Sequence, residues 1–231
     1  MTKYGQYCPV ARSVEILGDR WTLLIVRDLL DGKDRFNDLE RGLPGIPRAL
    51  LADRLRRLER TGLLERQVES GPRRTRYQLT QAGKDLSPVI DALTHWGARW
   101  AFGEPDISEL DPMLLLWWMR DRVYLERLPR RRVVVEFVFQ GPGRSTYWLV
   151  LQPTDVSVCL THPGFEVDVQ VIAELAALYK VWLGRMTFAE ARREQLVDLN
   201  TSPSMARNFP RWFAWSAAAD VVRAEKDPIR Q

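Results

Sequence analysis

Hydrophobic positions recur at helical spacing in the N-terminal part of the chain and at a spacing of two in much of the rest. Residues 36–43 carry apolar side chains at i, i+3 and i+7 and predict a short helix. The turn signal Pro-Gly-Ile-Pro at 44–47 ends that helix. A second helix is predicted over residues 48–60, with a leucine stripe at 51, 55 and 58, and Gly62 marks its end. The pattern therefore indicates a helix-turn-helix.

Two strand candidates, residues 63–69 and 76–79, follow the second helix and predict a hairpin with a basic tip. The second helix is also mostly basic outside its leucine stripe. An ordinary solvated helix and loop would explain any single arginine, but the combination is typical of a winged helix, which places a helix in the major groove and a hairpin on the backbone phosphates. We therefore predict double-stranded DNA as a partner. The predicted contacts are Arg35, Arg48, Ala49, Ala52, Asp53, Arg56, Arg73, Arg74 and Arg76.

Three further helices complete the predicted first domain. A helix over residues 9–17 precedes one over residues 20–30, for which Asp19 is the predicted cap and Leu23, Leu24, Val26 and Leu30 the core face. A last helix over residues 81–100 has a break near Ser87 and more apolar surface than a small domain needs. Internal core would explain that surface; we favour a homodimer, because two-fold symmetry suits a pseudo-palindromic operator. The predicted dimer interface is Val10, Val14, Trp96 and Trp100.

The second half of the chain changes its period. A proline-marked linker at 103–112 leads into an apolar helix over residues 112–119. Four runs then alternate with period two, over residues 133–140, 147–152, 156–161 and 165–171, and predict an antiparallel meander. Helices are predicted after the last strand, so this half is predicted to be an α+β domain.

Composition and charge agree with a regulator that binds nucleic acid. Of the 231 residues, the first 103 hold 18 Lys and Arg against 13 Asp and Glu, whereas the rest hold 16 against 17. The positive excess lies with the winged-helix pattern, as phosphate binding requires. Two cysteines make no disulfide framework. No signal peptide or membrane span is apparent, so we expect a cytoplasmic protein without a membrane partner.

These N-terminal residues resemble the HxlR-type winged-helix transcriptional regulators. The resemblance rests on CPV at 8–10, GDRWTLLI at 18–25, RFNDL at 35–39, PGI at 44–46, GL at 62–63, YQLT at 77–80, and on Leu55, Leu58, Glu59 and Gly83. It implies a dimeric repressor or activator that dimerises through the first and last helices of the domain. Pro47 departs from the family, which more often has a capping Ser or Thr there. The resemblance also makes Cys8, at the start of the first helix, a candidate redox sensor; the alternative is a plain buried cysteine.

The second half is similar to the sterol-carrier-protein-2-like fold. The four strands, the helix after them and the segment LGRMTFAEA at 183–191 carry this resemblance. It implies a cavity for an apolar small molecule, with Phe137, Trp148, Trp182 and Trp212 as candidate lining residues; the alternative is that these aromatics fill the core. The predicted fold is thus α+β, with a winged helix-turn-helix domain over residues 1–103 and a sterol-carrier-protein-2-like domain with an antiparallel sheet over residues 110–218.

An enzyme is the rival class of function. His95, His162 and Cys159 are the obvious candidates, but no Ser/His/Asp arrangement, phosphate loop or metal-ligand spacing is present. We therefore predict that the chain is not an enzyme and needs neither cofactor nor metal. A second domain that serves only dimerisation or protein interaction is the remaining alternative.

Overall fold

The computed structural model describes residues 3–68, 75–141 and 145–225. The chain divides into two compact units, residues 1–93 and 94–231. Helices dominate the first unit, and the second combines a five-stranded sheet with helices, so the fold is mixed α+β.

The first unit is a helical domain with a two-stranded hairpin. Its elements are α1 (Pro9–Leu17), α2 (Thr22–Leu30), α3 (Phe36–Gly42), α4 (Arg48–Arg60), β1 (Leu64–Val68), β2 (Thr75–Leu79), α5 (Gln81–Lys84) and the start of α6 (Ser87–Trp100). Ile25, Val26, Leu39, Leu51 and Leu55 are fully buried in its core. The predicted break is present, since α5 ends at Lys84 and α6 begins at Ser87. The N-terminus of α5 is capped, because the Thr80 hydroxyl accepts a hydrogen bond from the Gly83 N–H at 3.3 Å.

Helix α2 differs from its prediction in start and in face. Trp21 has a φ of 80°, in the left-handed region, so the helix begins at Thr22 and the Asp19 side chain does not cap it. The buried residues are Thr22, Ile25, Val26, Asp28 and Leu29, whereas Leu24 is exposed. The helix carries apolar residues almost all round, so periodicity alone did not specify which face the rest of the domain covers.

The second unit carries the remaining elements. They are the end of α6, α7 (Pro112–Arg120), β3 (Val133–Gln140), β4 (Ser145–Gln152), β5 (Asp155–Cys159), β6 (Val169–Glu174), α8 (Leu175–Trp182), α9 (Phe188–Arg193), β7 (Val197–Asn200), α10 (Pro203–Asn208) and α11 (Ala219–Ala224), with 3-10 turns at Ile107–Glu109, Leu125–Arg127 and Phe209–Arg211. The Asp111 carboxylate caps α7, accepting hydrogen bonds from the N–H groups of Met113 and Leu114.

The predicted antiparallel meander is wrong, because the sheet is mixed. Its strand order is β5-β4-β3-β6-β7, and β6 pairs with β3 in parallel, for example Val135 with Val169. Residues 160–168 connect β5 to β6 on the far side of β3, so consecutive strands in sequence are not neighbours here. Alternation specifies which side chains share a face of a strand, but not the order in which strands pair. The fourth predicted strand, over residues 165–171, also lies later in the chain than predicted, because β6 covers Val169–Glu174.

One face of this sheet packs against the helices through aromatic side chains. The Phe209 ring is their centre, and its centroid lies 5.3 to 6.4 Å from the rings of Phe137, Phe188, Trp212 and Phe213. Val133, Val135, Leu149 and Leu151 complete the sheet side of this core. The spacing of these rings is that of ordinary aromatic packing, so this region is a filled core.

Candidate nucleic-acid interface

The helix-turn-helix forms as the sequence predicts. Helix α3 ends at Gly42, and the turn before α4 contains Gly45 at a φ of 83°, a conformation that costs glycine little and other residues more. Leu51, Leu55 and Leu58 are buried, so the stripe predicted for α4 is confirmed. Pro47 is the N-cap of α4 and supplies no side-chain hydrogen bond. The first N–H groups of α4 therefore lack the side-chain cap that a Ser or Thr would provide.

The predicted DNA contacts on α4 lie away from its leucine stripe. The side chains of Arg48 and Arg56 are 64 % and 60 % exposed. Ala49 is exposed, and Ala52 and Asp53 are half-buried. Arg48 hydrogen-bonds the Glu40 carboxylate and lies 4.9 Å above the Phe36 ring, which ties α4 to α3. Arg56 pairs with Asp53 at 3.5 Å, a contact too exposed to hold the side chain strongly.

Two arginines of α4 turn inward instead. Arg57, which lies outside the leucine stripe in the sequence, donates hydrogen bonds to the Asp19 carboxylate and to the Glu15 carbonyl at 2.6 Å. Arg54, to which no role was assigned, lies 3.7 Å from the same Asp19 carboxylate. Each side chain is only 18 % exposed. Both arginines connect α4 to Asp19, just after the end of α1. Helical spacing within α4 could not predict these contacts, because Asp19 is remote in sequence.

The hairpin supplies the basic residues beside the helix-turn-helix. Strands β1 and β2 pair from Leu64 with Leu79 to Val68 with Thr75. Arg76 pairs with the Asp34 carboxylate, and Arg35 lies 4.0 Å from the same carboxylate. The Asp34 side chain is therefore close to two of the predicted DNA contacts. Burial raises the pKa of Tyr77 on β2. The predicted contacts Arg73 and Arg74 lie outside the described residues.

Apolar side chains are exposed on α1 and α6. Val10 is 70 % exposed and Trp100 is 65 % exposed, and Val14, Leu93 and Trp96 are exposed as well. Exposed large apolar side chains are candidates for interaction sites. All four residues predicted for the dimer interface are thus exposed, and the interface stays a prediction.

Cys8 is the N-cap residue of α1 and is half-buried. Its carbonyl accepts the first hydrogen bond of the helix, from Arg12 at 3.0 Å. Both described cysteines are free thiols. Redox sensing at Cys8 stays a prediction.

The four predicted ligand-pocket residues do not line one cavity. Phe137, Trp182 and Trp212 are buried in the aromatic core, whereas Trp148 lies on the opposite face of the sheet, with its ring 5.5 Å from that of His162. A separate cavity of about 390 Å³ borders the core and has mainly apolar walls. Val181, Met186, Thr187, Phe188, Trp215 and Arg223 line it.

Metal sites and membrane-spanning helices are the other features considered for the described part of the chain. Among residues 3–68, 75–141 and 145–225, no three His, Cys, Asp or Glu side chains group so as to hold a metal ion. The helices described there all lack the length and apolar character needed to cross a membrane.

Comparison with known proteins points to one family. The profile of the HxlR-like helix-turn-helix family matches residues 16–104. The uncharacterised HTH-type transcriptional regulator YvaP of Bacillus subtilis is 38 % identical over 98 residues, which cover 42 % of this chain and 91 % of YvaP. An uncharacterised HTH-type transcriptional regulator of Mycobacterium tuberculosis is 48 % identical over 89 residues, 38 % of this chain. The match spans only 56 % of the length of that mycobacterial protein.

Solved structures include similar chains. The reduced form of the transcriptional regulator YodB from B. subtilis is 35 % identical, with a TM-score of 0.37, over 42 % of this chain and 96 % of that one.

Proposed function

Because this chain belongs to the HxlR-like helix-turn-helix family, we propose that it is a DNA-binding transcriptional regulator. It acts as a homodimer that reads a pseudo-palindromic operator, with α4 in the major groove and the hairpin on the backbone. We assign DNA contacts to Arg35, Arg48, Ala49, Ala52, Asp53, Arg56 and Arg76, and to Arg73 and Arg74, which lie outside the described residues.

One observation carries the proposal. Helix α4 buries Leu51, Leu55 and Leu58 and leaves Arg48 and Arg56 exposed on the surface opposite the core. A recognition helix needs this division, because its packing face holds it on the domain while the other face enters the groove. The positive excess of the first 103 residues supports the same surface.

Replacing Arg56 tests this assignment. Arg56→Ala removes an exposed guanidinium whose only described ion pair is with Asp53, so folding is expected to be unchanged. The affinity for the operator, identified by sequencing DNA retained by the purified protein, is expected to fall on the order of tenfold or more, as for loss of a base contact. Arg193→Ala, an exposed arginine of the second unit, is the matched control in the same gel-shift assay. If both variants bound the operator with equal affinity, Arg56 would not be part of the DNA interface.

A second candidate function concerns the second unit. We propose that this unit is a sterol-carrier-protein-2-like domain and that it binds an apolar or amphipathic small molecule in the cavity beside Met186, Phe188 and Trp215. The cavity volume, about 390 Å³, lies within the usual range for small-molecule sites. The alternative is that the second unit serves dimerisation or protein interaction, a role that requires a packed core but no ligand cavity.

A thermal-shift titration with laurate separates these two roles. Laurate is expected to raise the melting temperature of the wild type, because a ligand that binds only the folded state stabilises it. Met186→Trp fills the cavity and is expected to abolish the shift. Met205→Trp, a methionine outside the cavity walls, is the control and should retain it. If laurate does not change the melting temperature of the wild type, the second unit does not bind laurate, and the dimerisation or interaction role is favoured.

A further inference from the structure

A short arginine-rich segment precedes β3 in the second unit. Residues 127–132 have the sequence RLPRRR and contain four of the 16 Lys and Arg that follow residue 103. The same half of the chain has 17 Asp and Glu, so its overall charge does not indicate this local excess. The arginine cluster consists of Arg127, Arg130, Arg131 and Arg132.

The segment is anchored in the second unit while its charged side chains stay on the surface. All four arginines are exposed, whereas Leu128 between them is buried in the core of the unit. The Arg127 guanidinium lies 3.8 Å from the centre of the Tyr124 ring and donates a hydrogen bond to the Arg211 carbonyl at 3.2 Å. The first arginine of the cluster is therefore held in place at the surface.

Two other arginines of the cluster contact the connection between β5 and β6. Arg132 lies 3.4 Å from the centre of the Phe165 ring. Arg131 pairs with the Asp168 carboxylate at 2.7 Å, and that carboxylate also accepts the Val134 N–H at 2.8 Å. Stacking on a ring uses the flat face of a guanidinium, so the N–H groups at its edge remain available to an outside acceptor.

The carboxylates in contact with the cluster do not neutralise it. Asp168 pairs with Arg131, and the exposed Glu126 lies 4.0 Å from Arg127. Within residues 3–68, 75–141 and 145–225, no ion pair involves Arg130 or Arg132. Four guanidinium groups thus contact two carboxylates, and the surface keeps a positive excess.

We propose that the arginine cluster binds backbone phosphates of DNA and gives the second unit a DNA contact of its own. This inference rests on the proposed DNA-binding function. The guanidinium fork matches phosphate geometry and binds it through charge-assisted hydrogen bonds. DNA carries one negative charge per about 1.7 Å of helix axis, and six residues extend over at most about 20 Å. The cluster can therefore meet several phosphates at once.

DNA is favoured over an anionic membrane, which would attract the same charges. Once the winged helix binds its operator, the second unit is tethered to the duplex and meets phosphates at a high effective concentration. Phosphate contacts carry no sequence information. The cluster is therefore expected to strengthen binding without changing which operator the protein selects.

A gel-shift salt series with the full chain and its operator tests the cluster. Replacing Arg130 and Arg132 together by Ala is expected to make the slope of log K against log salt shallower by about 1.8, if each arginine neutralises one phosphate. An unrelated duplex of equal length is expected to show the same change. Replacing both by Lys keeps the charges and is expected to retain the slope. The pair Arg192→Ala with Arg193→Ala, exposed on α9, is the matched control.

The outcomes separate this inference from the proposed function. An alanine variant with the wild-type slope overturns the inference, even if α4 binds the operator as proposed. Equal loss of slope in the alanine and lysine variants also overturns it, because a damaged segment would then explain both. An unchanged slope on DNA with lost binding to phosphatidylserine vesicles would assign the cluster to a membrane surface. A wild type that binds no DNA contradicts the proposed function and the inference together.

Discussion

At the scale of single residues, Asp28 is a fully buried charge in the first unit. Its side chain is fully buried on α2, and its Oδ1 atom lies 2.8 Å from Arg27 and 3.3 Å from Lys33. The Lys33 side chain is only 10 % exposed. Gly42 at the end of α3 permits this arrangement, because a Cβ there would come within 2.3 Å of Asp28 Oδ2. The close approach of α3 to α2 at Gly42 therefore lies beside a buried ion pair between Asp28 and Lys33.

Asp28→Asn is expected to lower the free energy of unfolding by about 3 kcal/mol, because the change leaves the Lys33 ammonium buried without its counter-ion. Urea denaturation followed by circular dichroism measures the loss. Asp31→Asn, an exposed aspartate at the end of α2, is the matched control and is expected to change stability by less than about 0.5 kcal/mol. Similar stabilities for the two variants would show that burying the pair contributes nothing.

At the scale of elements, α4 and the hairpin have different tasks in the proposed complex. Helix α4 is held by its leucine stripe, by Arg48 on Glu40 and by Arg57 on Asp19, so its orientation is specified from both ends. Strands β1 and β2 pair in register up to Val68 and Thr75. We propose that side chains on α4 read base edges and that the hairpin contacts phosphates, which carry no sequence information.

Replacing Arg73 and Arg74 together by Ala is expected to weaken binding to every DNA sequence alike. If each arginine neutralises one phosphate, the slope of log K against log salt becomes shallower by about 1.8. A gel-shift salt series measures the slope. The pair Arg192→Ala with Arg193→Ala removes the same charge from α9 and is expected to leave it unchanged. An unchanged slope in the hairpin variant counts against the wing assignment.

At the scale of the whole molecule, the exposed apolar residues of α1 and α6 point to assembly. Val10, Val14, Trp96 and Trp100 are each exposed, and large apolar side chains on a surface are candidates for burial in an interface. A symmetric dimer would cover that surface and would set the distance between two copies of α4, which must match half-sites separated by roughly 34 Å.

Trp100→Glu is expected to convert the dimer to a monomer, because it places a charge within the proposed apolar interface. Sedimentation velocity at micromolar concentration measures the change. Ile107→Glu, which alters a residue 78 % exposed but outside the predicted interface, is expected to remain dimeric. A wild type that sediments as a monomer at this concentration refutes the interface.

Local sequence determined the helices, strands and turns that carry the helix-turn-helix. The bounds of α4, its stripe of Leu51, Leu55 and Leu58 and the cap at Thr80 depend on periodicity and on neighbours a few residues apart, which the sequence displays directly. The same is true of the cap that Asp111 provides for α7.

Only the tertiary structure decided which of these elements meet. The parallel pairing of β6 with β3, the inward turn of Arg57 onto Asp19 and the separation of Trp148 from Trp212 all join or divide residues remote in sequence. Periodicity records which side chains share a face, but the partner of that face depends on packing and on desolvation of charges across the whole unit. The leucine stripe of α4 could therefore be predicted from neighbouring residues. The residues that line a cavity could not, because they come from segments remote in sequence.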